Sequence, residues 1–517
     1  MMKLFPKSTL APLIAVGFIA LSATNSFAEA PNDASKTPPP GATSADKPLE
    51  APSLEPFLAP KSVHQSAVIG GRKIDYVLTV GSVALKDEKG KVTGEIVYTS
   101  YVVPDRAAPS RPVTFSMNGG PGAASAYLNL GALGPKHINF GRDGVYASDS
   151  ASLSDNPNSW LDFTDLVFID PIGVGYSRSH LDEQGTKKAF LEPEADFHSI
   201  AEVIAQWLRL NGRSLSPKYL IGESYGGYRV PRIAEYLQSD VGIGISGITM
   251  VSPWLDPAAL TSQDALSPLS WMVSLPSMAA SVKERRGETL NAETMAPIET
   301  FARTTFVDDF FAGQRDKAAT DQISDQVAQY LGLDPKLVRR VDGRVPVEVF
   351  VRESRRDEGK VGSVYELNQV AYDPFPERNR TEYNDPDLGA TAAFAEAMVD
   401  IINTQVGWTV NALYYINNFT IARAFDHEAS DKNDAPVTDL RKAVANDPHM
   451  SVLIAHGYND LVCPYFLSKL LVRQMPDFGV SERVKVEVYP GGHMFYGRPA
   501  SAAAFKRDAM QAYGVNQ

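Results

Sequence analysis

Two hydrophobic periodicities alternate along the chain, and their order predicts the architecture. Eight short β-branched or apolar runs, each closed by a turn signal, read as strands: "KIDYVLTV", "GEIVYTSYVV", "PVTFSMN", "DLVFIDP", "KYLIG", "ISGITMVSP", "SVLIAHG" and "VKVEVYP". The first two alternate apolar with polar positions, as an antiparallel edge hairpin does. The later runs are continuously apolar, the mark of parallel strands covered on both faces. Between them the period becomes helical, in "FHSIAEVIAQWLRL" at 197–210 and "FLSKLLVRQM" at 466–475. Strand–helix alternation of this kind implies an α/β fold: a doubly wound, mostly parallel sheet of about eight strands. No internal repeat interrupts it.

The same pattern divides the chain. Lys3 and Lys7 precede the apolar run "LAPLIAVGFIALSA", and Ser26-x-Ala28 offers a small-residue cleavage site, so 1–28 reads as a signal peptide. The run is short and broken by Pro12, which disfavours an uncleaved membrane anchor, and no stable membrane insertion is expected after cleavage. Residues 29–56 form a proline-rich linker, with seven prolines in 31–56 and almost no large apolar residues. The sheet pattern occupies 57–256 and resumes over 419–517. Between them, at 257–418, the alternation stops and the text turns helical, as in "MAPIETFARTTFVDDFF" at 295–311 and "TAAFAEAMVDIINTQVGWTVNALYYI" at 391–416. An insertion after a parallel strand overhangs the binding crevice, so this block is expected to form a mainly helical cap or lid.

Charge and cysteine count narrow the setting. Cleavage after 28 removes two of the 49 basic residues and none of the 61 acidic ones, moving the net charge from −12 to −14. No basic cluster marks a nucleic-acid footprint, so no nucleic-acid partner is expected. Cys463 is the single cysteine, which excludes internal disulfides and favours a bacterial exported protein, periplasmic or secreted, over a eukaryotic secreted one. The sequons at Asn379 and Asn418 then read as accidental.

The candidate chemistry centres on "KYLIGESYGGYRVPRIAEYL". A G-x-S-x-G match occurs about 0.2 times by chance in a chain of this composition, so context decides its meaning. Ser224 follows a strand and precedes a segment with apolar positions at Val230, Ile233, Ala234 and Leu237: strand, sharp turn, helix. That is a nucleophile elbow, in which flanking glycines leave room where strand and helix nearly touch. Pro231 sits awkwardly in the helix but within its first two turns. A serine needs a base and an orienting acid, which this architecture supplies after its last two strands in the order Ser, Asp, His. Asp460 follows "SVLIAHG" and His493 follows "VKVEVYP"; His456, inside its strand, reads as a packed structural histidine. Oxyanion donors are expected from the amide of Tyr225 and from the loop "NGGPG" at 118–122.

With these residues in place, the chain resembles the serine carboxypeptidase family. "NGGPGAAS" at 118–125, "FIDPIGVGYSRS" at 168–179, "GESYGGYRVP" at 222–231, "GYNDLVC" at 457–463 and "GGHM" at 491–494 match family motifs in order. The resemblance implies an α/β-hydrolase fold and a triad of Ser224, Asp460 and His493. It also implies an oxyanion hole from the amides of Gly120 and Tyr225, and a clamp for the substrate's terminal carboxylate from Asn118 and Glu223. Cys463 and Met494 match pocket-lining residues. Two departures stand out: Ser116 replaces a tryptophan that helps hold the carboxylate, and "GAAS" lacks a disulfide cysteine. The expected activity is removal of C-terminal residues from peptides with a free C-terminus through an acyl-enzyme, with no metal or cofactor. Rival readings are an aminopeptidase, esterase or acyltransferase on the same fold, or a non-catalytic periplasmic binding protein. Glu223 speaks against the aminopeptidase, whose representatives generally lack an acid beside the serine.

Overall fold

Alternating strands near the N-terminus and continuously apolar strands after them build a sheet that is antiparallel at one end and parallel at the other. The computed structural model describes residues 55–104, 110–140, 148–261, 266–378, 385–427, 435–478 and 483–515. The expected signal peptide, the linker up to residue 54 and the sequon at Asn379 lie outside these residues. All eight runs read as strands are strands: β2 (Arg72–Lys86), β3 (Val92–Val102), β4 (Val113–Met117), β5 (Asp165–Asp170), β6 (Lys218–Glu223), β7 (Gly247–Val251), β8 (Ser451–Gly457) and β9 (Val484–Tyr489). A ninth, β1 (Lys61–Ile69), pairs antiparallel with β2 and takes the sheet edge that the sequence pattern gives to the β2–β3 hairpin. Its residues "KSVHQSAVI" are largely polar, which an edge strand tolerates because one face and one backbone side meet water.

The strand order is β1-β2-β3-β5-β4-β6-β7-β8-β9. From β5 through β9 every neighbouring pair is parallel, and β3 joins β5 antiparallel. Strands β4 to β7 are buried along their whole length, which is why they read as unbroken apolar runs. Apolar clusters cover both faces; Phe115, Val167, Leu220, Ile248 and Ile454 point to one, and Tyr101, Phe168, Ile221 and Leu453 to the other. Helices α1 (Pro193–Leu210) and α2 (Tyr225–Tyr236) pack on the first face. Helix α2 runs through Pro231 without ending.

After β7 the chain leaves this sheet at Val251 and rejoins it at Ser451. In between lie α3 (Leu269–Arg285) and further helices, together with a short hairpin of Lys360–Gly362 and Val370–Tyr372. One expectation fails here. The stretch 391–416 is helical only through α4 (Thr391–Val399) and a wider turn to Gln405. At Gly407 the backbone turns left-handed, with φ of +70°. Beyond it the side chains alternate, Leu413 and Tyr415 exposed, Ile416 buried, a period of two. This extended segment bridges the loops that follow β4 and β5, at Ala123↔Asn417 and Gly175↔Tyr415. Among the described residues, no helix is long and apolar enough to cross a membrane.

The start of β5 carries a buried ion cluster. Asp165 is fully buried and accepts from Arg111 Nε at 2.7 Å, from the Val103 N–H at 3.0 Å and from Arg213. Neutralising this carboxylate leaves two buried guanidinium groups undercompensated, and breaking such a pair costs about 3–5 kcal/mol. Asp165→Asn is therefore expected to lose about that much stability, read as a lowered denaturation midpoint in urea. A midpoint equal to wild type would show that the cluster contributes nothing.

Candidate active site

Strand β6 ends at Glu223, and α2 starts at Tyr225, so a single residue makes the reversal. That residue, Ser224, has φ of 59° and ψ of −120°, a conformation costing about 1–3 kcal/mol for a residue with a side chain. It is held by its N–H donating to the Val251 carbonyl at 2.9 Å and its carbonyl accepting from the Trp254 N–H at 3.2 Å. A Cβ on Gly222 would lie 2.1 Å from the carbonyl oxygen of Gly226, so the strand and helix can meet only if this position is glycine. The turn that the sequence motif implies is thus present, with the serine at its apex.

His493 and Asp460 are brought together from the ends of β9 and β8. The imidazole Nδ1 lies 2.8 Å from Asp460 Oδ2, and both side chains are buried. The other carboxylate oxygen, Oδ1, accepts from the N–H groups of Val462 at 2.8 Å and Cys463 at 2.9 Å. Burial pulls the imidazole pKa down, but the charge and hydrogen bond of Asp460, with Glu223 and Asp387 behind it, raise it overall. The backbone of the histidine is fixed from two sides: its N–H donates to the Tyr365 carbonyl at 2.6 Å, and its carbonyl accepts from the Ser252 hydroxyl at 2.8 Å. His456 stands apart, wholly buried with Nε2 2.8 Å from the Ser468 hydroxyl, a packed histidine as its position in the strand implies.

Cys463 shares a side-chain hydrogen bond with Ser224 and so borders the nucleophile position. Burial pushes its thiol pKa well up, and the Asp460 charge adds to this; the bond to Ser224 opposes it. Met494 is buried directly after His493. The loop 118–122 lies against the elbow: a Cβ on Gly119 would sit 2.4 Å from the amide nitrogen of Tyr225. Gly120, next in the loop, has φ of +100°.

Glu223 is buried at the base of the elbow. Tyr496 donates its hydroxyl to Oε2 at 2.5 Å, and the Asn118 side chain adds a further hydrogen bond. Burial raises the carboxyl pKa to about 7, against the lowering influence of His493, Tyr496 and Asn118. The Asn118 side-chain oxygen accepts from the Leu128 N–H at 3.0 Å. Ser116 is buried on β4, and its hydroxyl has no hydrogen-bond partner among the described residues.

Several contributors carry no local signal in the sequence. Tyr496, three residues past His493, is legible only as one more buried aromatic. Arg229 on α2 donates from Nη1 to the Asn118 carbonyl at 2.8 Å while paired with the buried Asp196 on α1 at 2.6 Å. Tyr365, Glu366 and Asp387 come from the insertion, where no motif marks them. Among the described residues, no cluster of three or more His, Cys, Asp or Glu side chains could hold a metal ion.

Residues 97–502 match the serine carboxypeptidase family, and the chain belongs to it. A pheromone-processing carboxypeptidase from Yarrowia lipolytica is 32% identical over 165 residues, 32% of this chain and 24% of that protein. A serine carboxypeptidase family member from Dictyostelium discoideum is 28% identical over 152 residues, 28% of this chain and 33% of that one. The aligned stretch thus covers only a quarter to a third of these curated relatives. The crystal structure of a prohormone-processing carboxypeptidase from Saccharomyces cerevisiae superposes with a TM-score of 0.56 at 13% identity. That match covers 85% of this chain and 91% of the other, and it establishes the shared α/β-hydrolase fold.

A thiol this buried and held protonated is a poor nucleophile. Cys463 in the folded protein is expected to react with an aromatic disulfide reagent at least about 100-fold more slowly than in denaturant. Equal rates would mean that the thiol is open to solvent.

Proposed function

We propose that the chain is an exported bacterial serine carboxypeptidase that releases C-terminal residues from peptides with a free C-terminus. The observation that carries this reading is Glu223: a buried carboxyl raised to about 7, adjacent in sequence to the elbow serine and held by Asn118 and Tyr496. A carboxyl that keeps its proton can donate to a substrate carboxylate, whereas two ionised carboxylates would repel. An ester or acyl donor without a terminal carboxylate would give such a group nothing to hold. Export is supported by the leader-like residues 1–28, the proline-rich stretch after them and the lone cysteine. The segment 257–418 acts as a cap over the substrate, a role supported by the Tyr365 carbonyl that holds the His493 backbone.

In this mechanism His493 takes the proton of the Ser224 hydroxyl as its oxygen attacks the scissile carbonyl. Asp460 holds the Nδ1–H and stabilises the imidazolium that forms. The amides of Gly120 and Tyr225 receive the oxyanion. The C–N bond then breaks, the departing amine takes the proton from His493, and the acyl group stays on Ser224. Water, activated by the same histidine, releases the peptide acid and restores the hydroxyl. Asn118 and Glu223 hold the carboxylate of the departing residue, which places the last peptide bond at the serine. Cys463 and Met494 line the pocket around it.

Ser224→Ala is expected to lower kcat roughly 10⁴-fold in a folded protein. Near-normal turnover of that variant would exclude the nucleophile. The clamp has its own signature in pH. Below about 7 Glu223 is protonated and binding of peptide acids is complete; as pH rises through that value the carboxyl ionises and KM should increase. A C-terminally amidated substrate should show no such increase. Glu223→Gln donates at every pH, so its KM should stay flat. Identical KM profiles for wild type and Glu223→Gln would remove Glu223 from the clamp and with it the exopeptidase reading.

A further inference from the structure

The loops that carry Asp460 and His493 are fastened to the insertion as well as to each other. Between themselves they share the Asn459 N–H donating to the Gly491 carbonyl at 2.8 Å. From the insertion, residues 364–366 press against both: the Val364 carbonyl accepts from the Leu461 N–H at 3.0 Å, and the Tyr365 carbonyl accepts from the His493 N–H at 2.6 Å. Glu366 Oε2 accepts from the Gly492 N–H at 3.1 Å. The fit leaves no slack, since a Cβ on Gly492 would lie 2.1 Å from the Tyr365 carbonyl oxygen.

A single guanidinium joins the pieces. Arg498, five residues after His493, donates to Glu366 Oε1 and, through both terminal nitrogens, to Glu284 at the end of α3. Glu284 Oε2 in turn accepts from Asn459 Nδ2 and Asn368 Nδ2, each at 2.7 Å. Glu284 therefore reaches the residue before Asp460, and Glu366 reaches the residue before His493. Both carboxylates converge on one cation, so without it they would repel each other and release the two loops. Glu284 keeps a lowered pKa because Arg498 outweighs its burial.

We infer that Arg498 is a positioning residue: by bridging Glu284 and Glu366 it seats the insertion on the two loops and sets the register of His493 against Asp460. The inference rests on the triad reading above and extends it, because the insertion then completes the catalytic geometry as well as shaping access. A misplacement on the order of 1 Å at a catalytic group costs up to about 100-fold in rate, so the bridge should register in kcat.

The test uses the full chain, with active sites counted by titration with a fluorophosphonate so that turnover is expressed per competent Ser224. Wild type should be labelled and Ser224→Ala should not; an unlabelled wild type would overturn the triad reading and the inference with it, whereas a labelled wild type with unchanged turnover in the variants overturns the inference alone. Arg498→Met is expected to lose about 30- to 100-fold in kcat per titrated site on a blocked dipeptide, with KM within about twofold. Arg498→Lys keeps the charge but not the fork, and should recover only part of that loss. A purely stabilising arginine would reduce the number of titratable sites and leave turnover per site unchanged. Should Arg498→Met not fold, Glu366→Ala keeps the Arg498–Glu284 pair while removing both the Arg498–Glu366 bond and the acceptor of the Gly492 N–H; about a 10-fold fall in kcat per site is expected. Turnover per titrated site within twofold of wild type in whichever variant folds would overturn the inference.

Discussion

The site depends on backbone meeting backbone at the carboxyl ends of the parallel strands. At Gly119, Gly222 and Gly457 an added Cβ would come within 2.0–2.4 Å of main-chain atoms from another part of the site. The Gly119 loop lies on the amide of Tyr225, β6 lies on the start of α2, and the strand before Asp460 lies on the loop before His493. Where main chain packs this closely, N–H groups are held in place by the fold itself, and a developing charge is met by dipoles that need not reorganise. The strain at Ser224 belongs to the same arrangement. Its φ of 59° is stabilised by bonds to Val251, at the end of a neighbouring buried strand, and to Trp254 in the loop after it, so the sheet offsets the local cost.

Burial then sorts the ionisable groups by the partners they find. Glu223 and Cys463 sit deep beside the elbow and are pushed toward their neutral forms. Asp460 has two N–H donors and an imidazole, and through them it lifts His493 against the same desolvation. Glu284 stays ionised because a guanidinium faces it. One low-dielectric region thus holds a carboxyl pushed toward its protonated form, a carboxylate kept ionised by a guanidinium and an imidazole lifted by Asp460, distinguished by the charges and hydrogen-bond donors that each one meets.

The share of this that the sequence reveals follows from how local each signal is. Strands β2 to β9 are legible because a two-residue period and unbroken apolar runs report burial on one or both faces. The elbow is legible because its glycines, its serine and the strand before it are neighbours in the chain. Asp460 and His493 are legible because the order of elements fixes what must follow the last two strands. The edge strand β1 is not legible, since an edge needs few apolar residues, and the extended segment after Gly407 reads as helix because both states share its apolar composition.

What the sequence by itself determined, then, is the α/β order of elements and the identity of the residues on the strand-end loops, because each depends on chain neighbours. Tertiary structure alone decided that Tyr496 and Asn118 hold Glu223, that Arg229 grips the Asn118 carbonyl, and that Arg498 ties the insertion to the histidine loop. Those partners are separated by up to 273 residues, as for Tyr496 and Glu223, and no periodicity or spacing encodes such a contact. It exists only once burial has removed water, leaving each polar group to be satisfied by whatever the fold has brought beside it.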